Sequence, residues 1–205
     1  MATNMVQCFF EESSSPKDFA KAYVSYLVEI MGKLDFDKIG DFISLILETR
    51  QSGKRIFIFG NGGSAATASH FANDLSAGTR SWKKPFKAIS LSDNNAVLTA
   101  IGNDCGYDEI FVQQLKVHLE EKDVVIAISA SGNSSNVLKA VEYANNLGAH
   151  TVGLTGFDGG ELKKISSLSL HVPSNKGEYG PVEDIHMIFD HLLYGYLLGI
   201  IKKES

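Results

Sequence analysis

Residues 54–64 read Lys-Arg-Ile-Phe-Ile-Phe-Gly-Asn-Gly-Gly-Ser, and this stretch decides the fold class. Its apolar run over residues 56–59 predicts a strand that is buried on both faces, as in a parallel sheet. Three glycines follow, and a helical pattern begins at Ser64. The backbone N–H groups of such a turn and the positive end of the helix favour a phosphate or another anion. The spacing matches neither the dinucleotide-binding nor the Walker pattern, so a simple tight turn explains the glycines equally well.

A second strand–loop–helix unit repeats this arrangement. Residues 123–134 read Asp-Val-Val-Ile-Ala-Ile-Ser-Ala-Ser-Gly-Asn-Ser, an apolar strand that leads into a loop of hydroxyl, glycine and amide residues. In a parallel sheet such loops emerge at the carboxyl ends of the strands, where ligands bind. Their uncharged hydroxyl groups suit the oxygens of a phosphate monoester. We therefore expect a phosphate group to bind at Ser64, Ser129, Ser131 and Ser134.

Apolar runs and helical periodicity alternate along the rest of the chain. This alternation predicts an α/β fold, with a parallel five-stranded sheet between two layers of helices. The predicted strands are 56–59, 86–91, 123–129, 151–155 and 168–172. A pair of helices precedes the first strand, so we expect a single domain with an N-terminal helical part (1–53) and an α/β core (54–205). Residues 1–15, which end in a polar run, are expected to be mobile.

Composition excludes several classes of protein. Of the 205 residues, 44% are hydrophobic and 21% charged, which is typical of a globular protein. The formal net charge of −5 argues against general nucleic-acid binding. No apolar stretch reaches the ~18–20 residues of a membrane-spanning helix, and the N-terminus lacks a secretory signal pattern. The chain has only two cysteines, Cys8 and Cys105, so we do not expect a disulfide framework. We expect a cytoplasmic location instead.

Two predicted helices carry histidine and carboxylate side chains. His70 and Asp74 lie on one face of the helix that follows the first loop. The last helix, predicted over 181–201, contains Glu183, Asp184, His186, Asp190 and His191. Helical geometry allows Glu183 and His191 to reach one broad cleft. Such groups can exchange protons with a substrate or bind zinc. Taken singly, a structural role explains each histidine better than catalysis does.

Three segments together resemble the sugar isomerase (SIS) domain. They are Gly60-Asn61-Gly62-Gly63-Ser64, Ser129-Ala130-Ser131-Gly132-Asn133-Ser134 and Leu154-Thr155-Gly156-Phe157-Asp158-Gly159-Gly160. Within that family the resemblance is to sedoheptulose-7-phosphate isomerases, also called phosphoheptose isomerases, and it extends from about residue 20 to about residue 200. It implies a flavodoxin-like fold and an enzyme of heptose biosynthesis. Such an enzyme interconverts sedoheptulose 7-phosphate and glycero-manno-heptose 7-phosphate through an enediol.

The same resemblance implies roles for individual residues. Asp74 and His191 would be the catalytic acid and base, and a divalent metal, zinc, would be held by His70, Asp74, Glu183 and His191. The substrate would contact the two loops and several neighbouring polar groups. Those additional substrate-binding positions are Asn61, Gly62, Gly63, Asp93, Asn94, Asp104 and Glu183. The resemblance also implies a homotetramer whose active sites are shared between chains.

Three positions depart from the family pattern, and they leave alternatives open. Asp74 replaces the usual Glu, Glu183 the usual Gln, and Ala130 the usual Thr. The added charge of Glu183 favours a dication, whereas metal-free acid–base catalysis is the alternative. Arg80 is the candidate for an arginine that the family often has. Two other functions remain open: a non-catalytic SIS protein that binds the replication initiator, and a regulator that senses a sugar phosphate. The retention of Asp74 and His191 favours the enzyme.

Overall fold

The computed structural model describes residues 4–204 and has a five-stranded, wholly parallel sheet at its centre. The strands are β1 Arg55–Gly60, β2 Lys87–Ser90, β3 Val124–Ser129, β4 His150–Thr155 and β5 Leu168–His171. The helices are α1 Met5–Glu12, α2 Pro16–Met31, α3 Phe36–Ser52, α4 Gly63–Asn73, α5 Asn95–Asp104, α6 Val112–His118, α7 Ser135–Leu147, α8 Leu162–Ile165 and α9 Tyr179–Glu204. The predicted α/β fold and all five predicted strands are confirmed.

The strand order places the two predicted loops side by side. The order is β2-β1-β3-β4-β5, so the chain moves to one side of β1 for β2 and then to the other side for β3. This reversal is a topological switch point, which is where open α/β sheets bind ligands. Gly60 at the end of β1 is paired with Ile128 near the end of β3. The loops that follow these strands therefore leave the sheet next to each other.

The core has two parts, one on each face of the sheet. Ile56 and Ile58 of β1 point into the part that packs against α2, α3, α4 and α9. Phe57 and Phe59 point into the part that packs against α6, α7 and α8. All four side chains are fully buried, because β1 lies between two other strands and under helices on both sides. The continuous apolar run of β1 is the expected pattern for such a strand.

The first helix corrects the expectation of mobility for residues 4–15, while residues 1–3 lie outside the described residues. Residues 5–12 form α1, which begins at the N-cap Asn4. The backbone N–H of Met5 donates a hydrogen bond of 2.7 Å to the buried carboxylate of Glu178. The Tyr26 hydroxyl, from α2, donates a second one of 2.7 Å to the same carboxylate. Glu178 thus ties α1 and α2 to the start of α9, a contact between distant parts of the chain that local composition does not reveal.

Two helices have distinctive C-terminal ends. Helices α5 and α6 are separated by a break at which Gly106 has φ +96°, a conformation that favours glycine. Helix α4 ends at Asn73 and continues into a π-helical turn over Asp74–Gly78. Such widened turns occur often at functional sites.

Across residues 4–204, none of the helices combines the length and the apolar character needed to cross a membrane.

Candidate active site

The two predicted loops and the start of α9 enclose a small cavity of about 140 Å³. Its lining residues are Asn61, Ser64, Ile128, Ser129, Ala130, Ser134, Tyr179 and Glu183. The hydroxyl oxygens of Ser129 and Ser134 lie 3.3 Å apart and both face this space. Ser64 lies in the first turn of α4, so the positive end of the helix is directed at the cavity. The arrangement suits an anion that accepts hydrogen bonds from hydroxyl groups.

The first loop lies in close contact with the Glu183 side chain of α9. Gly62, the residue before α4, has φ +56°. A Cβ atom placed on Gly63 would lie only 2.3 Å from Oε2 of Glu183. Glu183 therefore packs directly against the beginning of α4. Burial raises the pKa of the Glu183 carboxyl above its ordinary value, and the neighbouring Asp184 carboxylate raises it further.

The third sequence motif supports the second loop. The N–H of Gly156 donates a hydrogen bond of 2.9 Å to the carbonyl of Ala130. The N–H of Leu162 donates another of 2.9 Å to the carbonyl of Gly132. A Cβ atom on Gly132 would lie 2.0 Å from the carbonyl oxygen of Gly159, so the two backbones are in contact. Residues 154–160 thus hold the serine-rich loop in place and do not line the cavity.

A cluster of two histidines and two aspartates lies further along α4 and α9. His70 Nε2 is 3.2 Å from His191 Nε2 and 3.6 Å from Asp74 Oδ2. It is also 3.8 Å from Asp190 Oδ2. One potential ligand atom from each of these four residues lies within 4.8 Å of the other three. The structure places Asp190 in this group and not Glu183, which lies two turns earlier on α9 and faces the cavity.

Asp190 has an unusual environment within this cluster. Its side chain is 0% exposed, and neither carboxylate oxygen has a hydrogen-bond partner among the described residues. Burial raises the pKa of Asp190 to about 7, and the charge of Asp74 contributes to the shift. Asp74, by contrast, keeps 13% of its side chain exposed and accepts a hydrogen bond of 3.2 Å from Asn73. The two carboxylates are therefore chemically distinct.

Several predicted substrate-binding groups instead make local hydrogen bonds. Asp93 accepts a bond of 2.9 Å from the Ser90 hydroxyl and another from Ser69. Asn94 caps α5, and Asp104 accepts a bond of 2.7 Å from Asn103. The hydroxyl of Ser131 accepts a bond of 3.3 Å from the N–H of Asn133. In the part of the chain that the structure describes, these four residues do not line the cavity between the loops.

Asn61 lies at the cavity and belongs to a network that the sequence did not reveal. Its amide exchanges two hydrogen bonds, of 2.9 and 3.0 Å, with the buried amide of Asn136. The hydroxyl of Tyr107 donates a third, of 2.8 Å, to the Asn61 oxygen. This network links the first loop to the beginning of α7 and orients Asn61. The position of Asn136 directly after the second loop was the available signal.

The remaining polar groups of interest lie away from the cluster. His186 Nε2 is 3.4 Å from the carbonyl oxygen of Thr155, and His171 Nδ1 is 3.0 Å from the Thr155 hydroxyl. Burial lowers the pKa of each of these imidazoles to about 4, so both are neutral at pH 7. Arg80 lies beyond the C-terminal end of α4, in a cavity that it shares with Arg50 and other basic residues. These positions favour structural roles for the two histidines.

The chain is similar to known proteins over most of its length. The SIS domain profile matches residues 19–156. A phosphoheptose isomerase from Helicobacter pylori is 44% identical over 151 residues, which are 74% of this chain and 78% of that relative. One from Citrifermentans bemidjiense is 39% identical over 173 residues, 83% of this chain and 90% of that relative. The solved phosphoheptose isomerase GmhA of Neisseria gonorrhoeae matches with a TM-score of 0.80 at 27% identity, covering 89% of this chain and 98% of that chain.

Proposed function

Since the chain belongs to the SIS domain family and, within it, to the phosphoheptose isomerases, we propose that it interconverts sedoheptulose 7-phosphate and glycero-manno-heptose 7-phosphate. One observation carries the proposal. The cavity between the two loops and the histidine–aspartate cluster are both formed in part by α4 and α9. Along α4, Ser64 and His70 are separated by roughly 9 Å of helical rise. An extended seven-carbon chain spans about 8 Å, from single bonds near 1.5 Å, so its two ends are compatible with the two sites.

The cavity is the proposed binding site for the phosphate group. Ser129 and Ser134 would donate hydrogen bonds from their hydroxyls, and Ser64 and the N-terminus of α4 would add to the attraction. Ser131 is part of the proposal through its loop, although its own hydroxyl is engaged by Asn133. The sugar hydroxyls would contact Asn61 and the first loop. Glu183, whose pKa is raised by burial, lines the same cavity and would contact an oxygen of the substrate.

Asp74 and His191 are the proposed acid–base pair. One group removes the proton from C1 of the ketose, and a proton is returned to C2 to give the aldose. A second proton passes between the oxygens on C1 and C2, so the enediol forms and collapses without net charge. Asp74 and His191 lie in one cluster and both are accessible, which allows either to face the same two carbons. Positioned proton transfer of this kind contributes about 10²–10⁴-fold to a rate.

A divalent ion, zinc, is part of the proposal, because the cluster fits one. Two imidazole nitrogens 3.2 Å apart and a buried carboxylate that has no hydrogen-bond partner among the described residues converge on one point. The residues that would hold the ion are His70 and His191, with a carboxylate of the cluster. When bound, the ion polarises a carbonyl and orients adjacent oxygens. Metal-free acid–base catalysis by the same cluster is the alternative.

The function is tested by proton-exchange NMR in D₂O with six- and seven-carbon ketose phosphates. We expect exchange at the carbon next to the carbonyl and formation of the aldose, fastest with sedoheptulose 7-phosphate. A Ser129→Ala/Ser134→Ala double variant is expected to lose about 100-fold or more in affinity for the sugar phosphate. Each hydroxyl that donates to a charged oxygen contributes about 1.5–3 kcal/mol, and the two lie together in the cavity.

The matched control for this variant is Ser135→Ala. Ser135 is the next residue along the chain, but its hydroxyl donates to Asp108 outside the cavity. Unchanged affinity in the double variant would show that the phosphate binds elsewhere. No exchange with any sugar phosphate in the wild-type protein would favour a non-catalytic SIS protein, which binds a partner or senses the sugar.

We also propose that the chain forms a homo-oligomer, a tetramer, in the cytoplasm. Helix α2 exposes 59% of Val24 and 60% of Val28, and α9 exposes 52% of Tyr196. Such exposed apolar side chains mark interaction surfaces when they occur together. His191 is also exposed on α9, although in a different direction from Tyr196. The cytoplasmic location agrees with the two free cysteines, and cell fractionation would test it.

Light scattering tests the assembly. We expect a mass four times that of one chain, and Tyr196→Glu is expected to reduce it because a charge would be buried in the interface. Val117→Glu is the control, since Val117 is 75% exposed on α6 in the other helical layer. A monomeric wild-type protein at micromolar concentration would contradict the proposal, as would equal effects of the two variants.

A further inference from the structure

Asp190 is a buried carboxylate whose function is not assigned by the proposed reaction. Both of its oxygens are inaccessible and lack a hydrogen-bond partner among the described residues. A buried carboxylate that accepts no hydrogen bond is strongly unfavourable, and the nearest cationic group, the His70 imidazole, stays 3.8 Å away. Its neighbours on α9 that point into the core, Phe189 and Leu193, are apolar. A ligand from outside the protein chain would offset this cost.

The groups nearest to Asp190 are themselves ligand atoms. His70 Nε2 is 3.8 Å from Asp190 Oδ2, which is too far for a hydrogen bond. The same nitrogen is 3.2 Å from His191 Nε2. Two imidazole nitrogens and a carboxylate oxygen therefore converge, and which imidazole donates to the other depends on their tautomers. A cation among the three would satisfy all of them at once.

We propose that Asp190 is the carboxylate ligand of the dication, together with His70 and His191. The inference rests on the proposed isomerase site and deepens it by naming the third ligand. Glu183 is the alternative carboxylate from the sequence, but its side chain packs against Gly63 and lines the phosphate-type cavity. Asp74 already accepts a hydrogen bond from Asn73 and remains partly accessible.

This assignment separates the two aspartates by role. Three protein ligands leave one position of a tetrahedral zinc site open, as in catalytic zinc sites. Asp190, His70 and His191 would hold the ion at that site. Asp74 would then stay free to move the proton between the two carbons of the substrate.

The test measures zinc affinity directly, on the full chain stripped of metal, by competition with a chromophoric chelator. The variants are Asp190→Asn and Glu183→Gln, each of which replaces a carboxylate of α9 with its amide. Removal of a ligand should exceed the 10–100-fold loss that is typical of outer-sphere partners, so we expect Asp190→Asn to weaken binding by at least about 100-fold. Glu183→Gln should bind zinc as the wild type does. Equal affinity of Asp190→Asn and wild type, or a loss confined to Glu183→Gln, overturns the assignment.

Melting temperatures give a second readout that a structural role would not reproduce. Without metal, Asp190→Asn should melt higher than the wild type, because a buried carboxylate that accepts no hydrogen bond has been removed. With saturating zinc the order should reverse, since only the wild type is stabilised by tight binding. A lower melting temperature in both states would make Asp190 a structural residue and overturn the proposal. Asp190→Ala gives the same comparison if Asp190→Asn does not fold.

These measurements separate this inference from the proposed function. If the wild-type protein binds no zinc but isomerises a sugar phosphate, the role of Asp190 is overturned and the isomerase stands. If zinc binds and depends on Asp190 but no sugar phosphate is isomerised, the metal site stands and the proposed reaction does not.

Discussion

Replacement of His191 with alanine is expected to lower isomerase turnover by about 10³-fold. Both roles proposed for this imidazole predict the same direction. As an acid–base group it would exchange protons with the substrate, and as a ligand it would hold the ion beside His70, 3.2 Å away. Binding of the sugar phosphate should change little, because the serine loops are far from the substitution. The measurement is the proton-exchange assay, with the dissociation constant determined separately.

The control for His191 is His150→Ala. His150 is exposed and begins β4, so it lies at the amino ends of the strands, whereas the cavity lies at their carboxyl ends; its loss should leave turnover unchanged. A His191→Ala variant that retains most of its activity would show that the chemistry does not involve this cluster. A large loss of affinity without a loss of turnover would instead place His191 among the binding groups.

Most of the fold follows from sequence because its strands are buried on both faces. A strand such as β1 must be apolar at consecutive positions, and the glycines after it must allow close contact with α9. These two requirements are local, so they are visible in residues 54–64 alone. Similar requirements apply to β3 and to the loop that follows it. The switch point then follows from the order of the strands, and it brings the two loops together.

The candidate site was only partly predictable, because the residues that form it depend on how each helix is rotated about its own axis. His70, Asp74 and His191 were predicted because helical spacing groups histidine and carboxylate side chains and because the resemblance to phosphoheptose isomerases assigns them roles. Asp190 was not assigned a role, although it adjoins His191, because the rotation of α9 about its axis is set by packing. The available signal was a carboxylate at a position whose neighbours at helical spacing belong to the core.

Other features depend on contacts between distant segments. Helix α1 is held by Glu178, which lies 173 residues beyond Met5. Tyr107 reaches Asn61 across the space between two loops. Neither contact has a periodicity or a composition that marks it in the sequence. The backbone contact between Gly132 and Gly159 is of the same type, although the glycines themselves indicate that some close approach occurs there.

Substitution of Gly132 by alanine is expected to destabilise the protein by about 3 kcal/mol or more and to abolish tight sugar-phosphate binding. Two costs add at this position. Its φ of +65° is unfavourable for alanine, by about 1–2 kcal/mol. The new Cβ would also lie 2.0 Å from the carbonyl oxygen of Gly159, so one of the two backbones must move. Movement of residues 129–134 would displace the hydroxyls of Ser129 and Ser134 from the cavity.

Gly53→Ala separates these two costs, because Gly53 has φ +66° and its nearest new contact would be Lys87 Nζ at 3.8 Å. Strain alone should lower its stability by about 1–2 kcal/mol, a fall of roughly 2–8 °C in melting temperature. Gly132→Ala should fall further, and only that variant should lose the stabilisation that a sugar phosphate gives. Equal melting temperatures and equal ligand-induced shifts for the two variants would mean that the second loop tolerates displacement. In that case residues 154–160 would not be responsible for maintaining the conformation of the phosphate site.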